Sequence, residues 1–114
     1  MFIIEREREK KTMYIKAILI KPNFIPKIIE IEDDLRTYQK LVDGYIEPIH
    51  IGRELTALVN EEGRLLGMTP NFSIGYTTIV GPAVIVRDRG DVMYESLTDE
   101  QITEVMQIFK EGRL

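Results

Sequence analysis

VNEEGRLLGMTPNFSIGYTTIVGPAVIV, residues 59–86, decides how the chain folds. Apolar segments are broken three times, at Asn60-Glu-Glu-Gly63, at Thr69-Pro-Asn71 and at Gly81-Pro82. Gly, Pro and Asn between β-branched runs are turn chemistry: they supply a positive φ, a fixed φ or a side chain that bonds its own backbone. Asn60–Gly63 therefore closes a strand, Leu65, Leu66 and Met68 return toward the core, and Thr69–Asn71 makes a corner. Tyr76–Val86 is expected to be one long strand, bulged or bent where Gly81-Pro82 forbids regular central pairing.

Upstream, ELTALVN (54–60) reads as the strand that this turn closes, and YIEPIHI (45–51) as another. Pro48 has no N–H to give a ladder, which sends strand 45–51 to a sheet edge or a bulge and leaves its pairing open. YIKAILIK (14–21) is a largely buried strand. KIIEIE (27–32) alternates Ile29 and Ile31 with Glu30 and Glu32, so a hairpin across Pro22-Asn23 follows. Between the hairpins, Asp33 or Asp34 caps a helix near 34–43 with Leu35, Tyr38, Leu41 and Val42 along one side, and Gly44 supplies its left-handed end.

Downstream, SLTDEQITEVMQIFKEGR (96–113) carries the most explicit helix signal in the chain. Thr98 and Gln101 form a capping box, Leu97 and Ile102 a hydrophobic staple, and Asp99 and Glu100 sit at the positive helix end. Ile102, Val105, Met106 and Phe109 make one stripe, and Gly112 stops the helix. Burying that stripe is worth on the order of 6 to 12 kcal/mol before ordering costs, so the helix near 99–111 must pack on the sheet. Residues 1–12 place MFII before EREREKK and read as a charged extension, or as an arm or added strand that helps pair two subunits. The expectation is a single α+β domain over 13–114: a mixed, mostly antiparallel sheet of about five strands with two helices packed on it.

The totals narrow the function. A chain of 114 residues fits one domain. It has no Cys, which excludes disulfides, thiol nucleophiles and Cys-based zinc sites. The longest apolar run, Ile79–Val86, is far short of a membrane helix, and the N-terminus does not read as a secretory signal; a cytoplasmic protein with no membrane partner is expected. Its 15 basic residues are interspersed among 19 acidic ones, without the Lys/Arg cluster that duplex nucleic acid demands, so direct duplex binding is not expected.

Catalytic constellations are nearly exhausted as well. His50 is the only histidine, and Glu47, the nearby carboxylate, falls on the opposite face of a regular strand. Asp33–Asp34 and Glu61–Glu62 are sequence neighbours whose side chains diverge. Gly75–Gly81 lacks the Lys-Ser or Lys-Thr of a phosphate loop, and Ser73 and Ser96 lack a nucleophile elbow. No catalytic residue, metal or cofactor is therefore expected. What remains is a polar set: Asn60, Arg64, Asn71, Tyr76, Thr77 and Thr78, with Arg53 nearby. Amides, hydroxyls, an aromatic ring and guanidinium groups suit a small anionic or nucleobase ligand. They suit turns and exposed strand faces equally.

YIKAILIKP, DGYIEPI, LVNEEGRLLGMTPN, the Ile-Val-Gly-Pro break and SLTDEQI, in that order, resemble a domain-of-unknown-function family of small proteins carried by bacteriophages, plasmids and related elements. The likeness spans about residues 13–109, with N-E-E-G followed by L-x-G-x-x-x-N as its most specific part. Relatives often insert an acidic loop before the Gly-Pro strand, where this chain has only SIGYTT. The resemblance implies an accessory protein that acts by stoichiometric binding. The expected function is a non-catalytic, homo-oligomeric module that sequesters a small anionic ligand, such as a nucleotide signal of host defence. The alternatives are a module that engages a host protein and, more remotely, a hydrolase of unfamiliar type.

Overall fold

The structure, a computed structural model, describes residues 14–110. The extension read at 1–12, Met13 and the stop at Gly112 lie outside them. The elements run β1 (Tyr14–Ile20), β2 (Lys27–Glu32), α1 (Leu35–Val42), β3 (Ile46–Gly52), β4 (Leu55–Asn60), β5 (Pro70–Ile74), β6 (Thr77–Val80), β7 (Ala83–Arg87) and α2 (Asp99–Lys110). Five strands form one sheet in the order β2-β1-β7-β4-β3, and β5 and β6 form a separate hairpin. Every pairing is antiparallel. The α+β class and the five-stranded sheet are as the sequence implies.

The centre of the sheet falls where the sequence stops alternating. All six residues of β4, LTALVN, are buried, as are Ala83–Val86 of β7, because both faces of these strands are covered. On one face, Ile18, Ile20, Ala57, Val59 and Ile85 lie under Val105 of α2 and under Phe72 and Ile79 of the β5–β6 hairpin. On the other, Ile15, Ala17, Leu58, Val84 and Val86 lie under Tyr38 and Val42 of α1. The Phe72 and Phe109 rings meet edge-on, 5.3 Å apart, tying the hairpin to α2. The ladder between β1 and β7 covers only Ile18–Ile20; nearer the start of β1, residues 95–97 fill in, with Leu97 N donating to Lys16 O and Lys16 N to Ser96 Oγ.

Pro48 places β3 at the sheet edge, and its pairing is with β4 alone among the described strands, with a bulge between His50 and Gly52. The capping box of α2 forms in both directions at 3.0 Å. Asp34, not Asp33, caps α1 by accepting from Arg36 N.

Five expectations are corrected. Tyr76–Val86 is not one interrupted strand but two strands in two sheets: Gly81 has φ +75, and a Cβ there would lie 2.6 Å from Met68 Sδ, so the chain turns out of the hairpin and into the main sheet at that point. The corner expected at Thr69–Asn71 runs instead into a strand, Pro70–Ile74, the partner of that hairpin. Leu65 and Leu66 do not return to the core but stand 87% and 60% exposed, because 60–68 winds into consecutive turns anchored by buried Gly63, with Met68 N on Gly63 O. The left-handed residue ending α1 is Asp43 (φ 64) rather than Gly44, and Leu35 stays outside the core at 55% exposure. No helix among the described residues is long and apolar enough to cross a membrane.

Candidate functional site

The end of β4 leads directly into the 60–67 turns, and these lean over β6. A cleft of about 440 Å3 opens between them. Ile49, Val59, Ile79 and Val80 give it an apolar floor; Arg64 stands on the turn side and Thr77 and Thr78 on the β6 side, and the carboxylate residues Glu47 and Glu61 line it as well. Arg64 bridges the cleft, its Nη2 donating to Thr78 O at 2.7 Å. That bond uses one of the five N–H donors of the guanidinium fork. Thr78 Oγ1 pairs with Ser73 Oγ across the hairpin at 3.2 Å. The site therefore offers cationic donors from the turns and acceptor oxygens from the lining carboxylates, above an apolar floor.

Of the seven residues singled out in the sequence, Asn60, Arg64, Thr77 and Thr78 meet here. Asn60 lines the cleft but its amide is committed: Nδ2 donates to Val42 O at 3.1 Å and Asp43 O at 3.0 Å, and Oδ1 accepts from Glu62 N at 2.7 Å. It satisfies the end of α1 and starts the turn. Asn71 is placed elsewhere, its Nδ2 donating to Ile20 O and Gly81 O, both at 2.8 Å, which staples the small hairpin to β1. Tyr76 stands fully exposed at the hairpin tip. Arg53 lies in the β3–β4 turn, at the opposite end of β4 from Asn60. Glu47 and Glu61, which the sequence pattern does not single out as ligand-binding residues, line the cleft as well.

A second polar arrangement has no counterpart in the sequence reading. His50 is exposed on the edge strand, yet it has a partner: its Nδ1 lies 3.1 Å from Thr56 Oγ1, which donates to Asp88 Oδ2 at 3.0 Å. A carboxylate only accepts, so the threonine proton goes to Asp88, and Thr56 accepts from Nδ1–H. The chain fixes the imidazole tautomer. Asp88 Oδ1 also accepts from Gly90 N, so the three residues brace β3 against the end of β7. On the same face Tyr38 donates to Asp33, and its ring meets Tyr94 edge-on at 5.8 Å. Burial, then the Asp33 hydrogen bond and charge, push the Tyr38 phenol far above its usual range; burial, then Asp88 and Asp33, raise Tyr94. Both phenols are therefore harder to ionise than a free tyrosine. His50 and Thr56 face each other across a hairpin that alternation could have located, but Asp88 is 32 residues further on and gave no signal.

Among the described residues no group of three or more His, Asp and Glu is placed to hold a metal ion. No buried side-chain nitrogen or oxygen among them lacks a hydrogen-bond partner. No curated protein and no solved structure matches the chain. Residues 15–110 match the family model of a domain of unknown function, DUF3846. That match covers well over half of the chain and takes in both polar arrangements, so the protein belongs to the DUF3846 family.

Proposed function

We propose that the protein is a non-catalytic binding module that holds a small ligand with an anionic group in the cleft between Arg64 and β6. The observation that carries this reading is the convergence of Arg64, Thr77 and Thr78 on one cleft with an apolar floor. Arg64 would receive the anionic end through its remaining donors. Glu47 and Glu61 refine the ligand: a bare anion would be repelled by them, whereas a molecule that also carries N–H or O–H donors would be held at both ends. A nucleotide has that chemistry, with phosphate at one end and ribose and base donors at the other. In the phage or plasmid setting that the sequence resemblance implies, such a module would sequester a nucleotide signal of host defence.

Titration calorimetry against cyclic and linear nucleotides tests this. Micromolar or tighter binding, lost in Arg64→Ala and weakened in Thr77→Val, supports it; silence across the panel with folded protein rejects it. A second reading, engagement of another protein, is favoured by the β1–β2 loop, where Phe24 and Ile25 are 71% and 85% exposed. An isolated Leu on a surface is ordinary, but adjacent exposed apolar residues of this size mark contact surfaces.

A further inference from the structure

Arg53, singled out in the sequence, lies outside the cleft but borders a second cavity. That pocket, about 270 Å3, lies under α2 between the β3–β4 turn and the β5–β6 hairpin. Its walls are apolar: Leu55 and Ile85 from the sheet, Phe72 and Ile74 from the hairpin, Val105 and Ile108 from α2. Arg53 and Glu104 are the charged residues on its lining. The same two line an adjoining polar hollow, which they share with Glu54, Arg87, Glu100 and Gln101. An apolar chamber therefore meets a charged vestibule, with Arg53 and Glu104 common to both.

Half of the vestibule is spent on the fold. Arg87 is held by Glu54 at 3.0 Å and by Glu95 at 3.6 Å, while Gln101 closes the capping box and donates to Glu54 O. Arg53, Glu104 and Glu100, one helical turn before it, are not so used. Among the described residues none of these three side chains makes a hydrogen bond or an ion pair. The turn that carries Arg53 is nonetheless fixed. Glu54 has φ 55, where a non-glycine residue is uncommon. Arg87 holds its carboxylate, and Asp88 N and Gln101 Nε2 hold its carbonyl. Strained backbone that positions an unpaired guanidinium is a mark of binding sites.

We propose that this pocket binds a free α-amino acid with an apolar side chain. Each part of such a molecule meets its complement. The side chain enters the apolar chamber, which is smaller than the roughly 300 to 1,000 Å3 of sites for drug-sized molecules and so suits a small occupant. The α-carboxylate takes the Arg53 fork, whose geometry matches a carboxylate in a bidentate way. The α-ammonium, with donors only, goes to Glu104, with Glu100 beyond it. A fatty acid would set its carboxylate beside Glu104 with nothing to offset the repulsion, and an alkylamine would leave Arg53 unanswered. A zwitterion answers both charges from one carbon. The nucleotide reading is independent of this one, since the cleft at Arg64 lies at the other end of β4.

Titration calorimetry of the full chain with L-leucine, L-methionine and L-phenylalanine tests it, with amide chemical shifts locating the site. Saturable binding of at least one of them is expected, with shifts at 51–55 and 104–109 and none at 77–80. N-acetyl-L-leucine and isopentylamine, which each lack one of the two head charges, should bind about tenfold more weakly or worse. Arg53→Ala should weaken the amino acid to the same degree. Glu104→Gln, which keeps the helix and removes only the charge, should weaken L-leucine and narrow its advantage over N-acetyl-L-leucine. Both positions are exposed, so urea melts of the two variants should match the parent. No binding of any apolar amino acid at millimolar concentration by folded protein overturns the proposal. So does binding that both variants leave untouched, or an affinity for L-alanine equal to that for L-leucine.

Discussion

Tyr38 shows what burial does to one polar group. The side chain is 2% exposed, donates to Asp33 and packs against Tyr94, and its phenol is held far above the ordinary value of 10.0. Above that ordinary value the unfolded chain loses a proton that the folded chain keeps. Stability is therefore fully present below about pH 10 and falls as pH rises beyond it, by about 1.4 kcal/mol per unit for this one group. Urea melts between neutral pH and pH 11 should show that decline, and Tyr38→Phe should flatten it while lowering stability at pH 7 through loss of the Asp33 bond. Asn60 and Arg64 separate structure from function in the same cleft. Asn60→Ala strips partners from Val42 O, Asp43 O and Glu62 N in a buried setting, and should cost about 2 to 4 kcal/mol. Asn60→Asp should be worse, because it turns a carboxylate toward two carbonyls. Arg64→Ala, at an exposed position, should change stability by no more than about 0.5 kcal/mol in the same melt. An Arg64→Ala protein that unfolds as readily as Asn60→Ala would mean that the guanidinium is a strut and not a binding group.

The segments legible in the sequence are those whose reasons are local. The capping box of α2 sits within four residues, and Thr98→Ala should cost about 1 kcal/mol in the same melts. Pro48 predicts an edge strand because a missing N–H is a local fact with a global consequence. The β5–β6 hairpin was illegible for the opposite reason. Pro70-Asn71 and Ser73 look like turn residues, and Phe72 and Ile74 alone face the core; what makes 70–74 a strand is pairing with β6 and the two bonds from Asn71 to Ile20 and Gly81, one of them 51 residues away. The candidate site was half legible by the same rule. Arg64, Thr77 and Thr78 line one cleft because a turn and the strand it leans on lie close in sequence, but amide chemistry alone could not tell that Asn60 and Asn71 are spent on backbone. Gly81 joins the two sheets, and its positive φ and the nearby Met68 sulfur explain why a side chain is excluded. Gly81→Ala should lower stability by about 1 to 2 kcal/mol, and a neutral result would show that the hairpin can turn into β7 by another route.

The fold is built around β4 and β7, buried on both faces, with layers of unequal attachment on either side. α1 packs Tyr38 and Val42 on the sheet and is fastened at its end by Asn60, and α2 packs Val105 on the other face, whereas the β5–β6 hairpin is held by Phe72, Ile79 and Asn71. Elements held by few anchors open at lower free energy than the centre of a sheet. Native-state hydrogen exchange should therefore place the amides of 70–80 in a unit that opens before those of 55–59 and 83–86. Phe72→Ala, which deletes a buried ring that also supports Phe109, should widen that gap within an overall cost of about 3 to 5 kcal/mol. Equal opening energies for the hairpin and the central strands would instead make the molecule one cooperative unit. This hierarchy bears on binding because β6 is a wall of the cleft while the end of β4 is its opposite wall. A ligand bridging Arg64 and Thr77 binds only when the hairpin is docked. At a concentration one hundred times its Kd it should raise the hairpin's opening free energy by about 2.7 kcal/mol and leave the exchange of amides in β2 unaffected. Slowed exchange in β2 without slowed exchange in the hairpin would place the ligand somewhere other than this cleft.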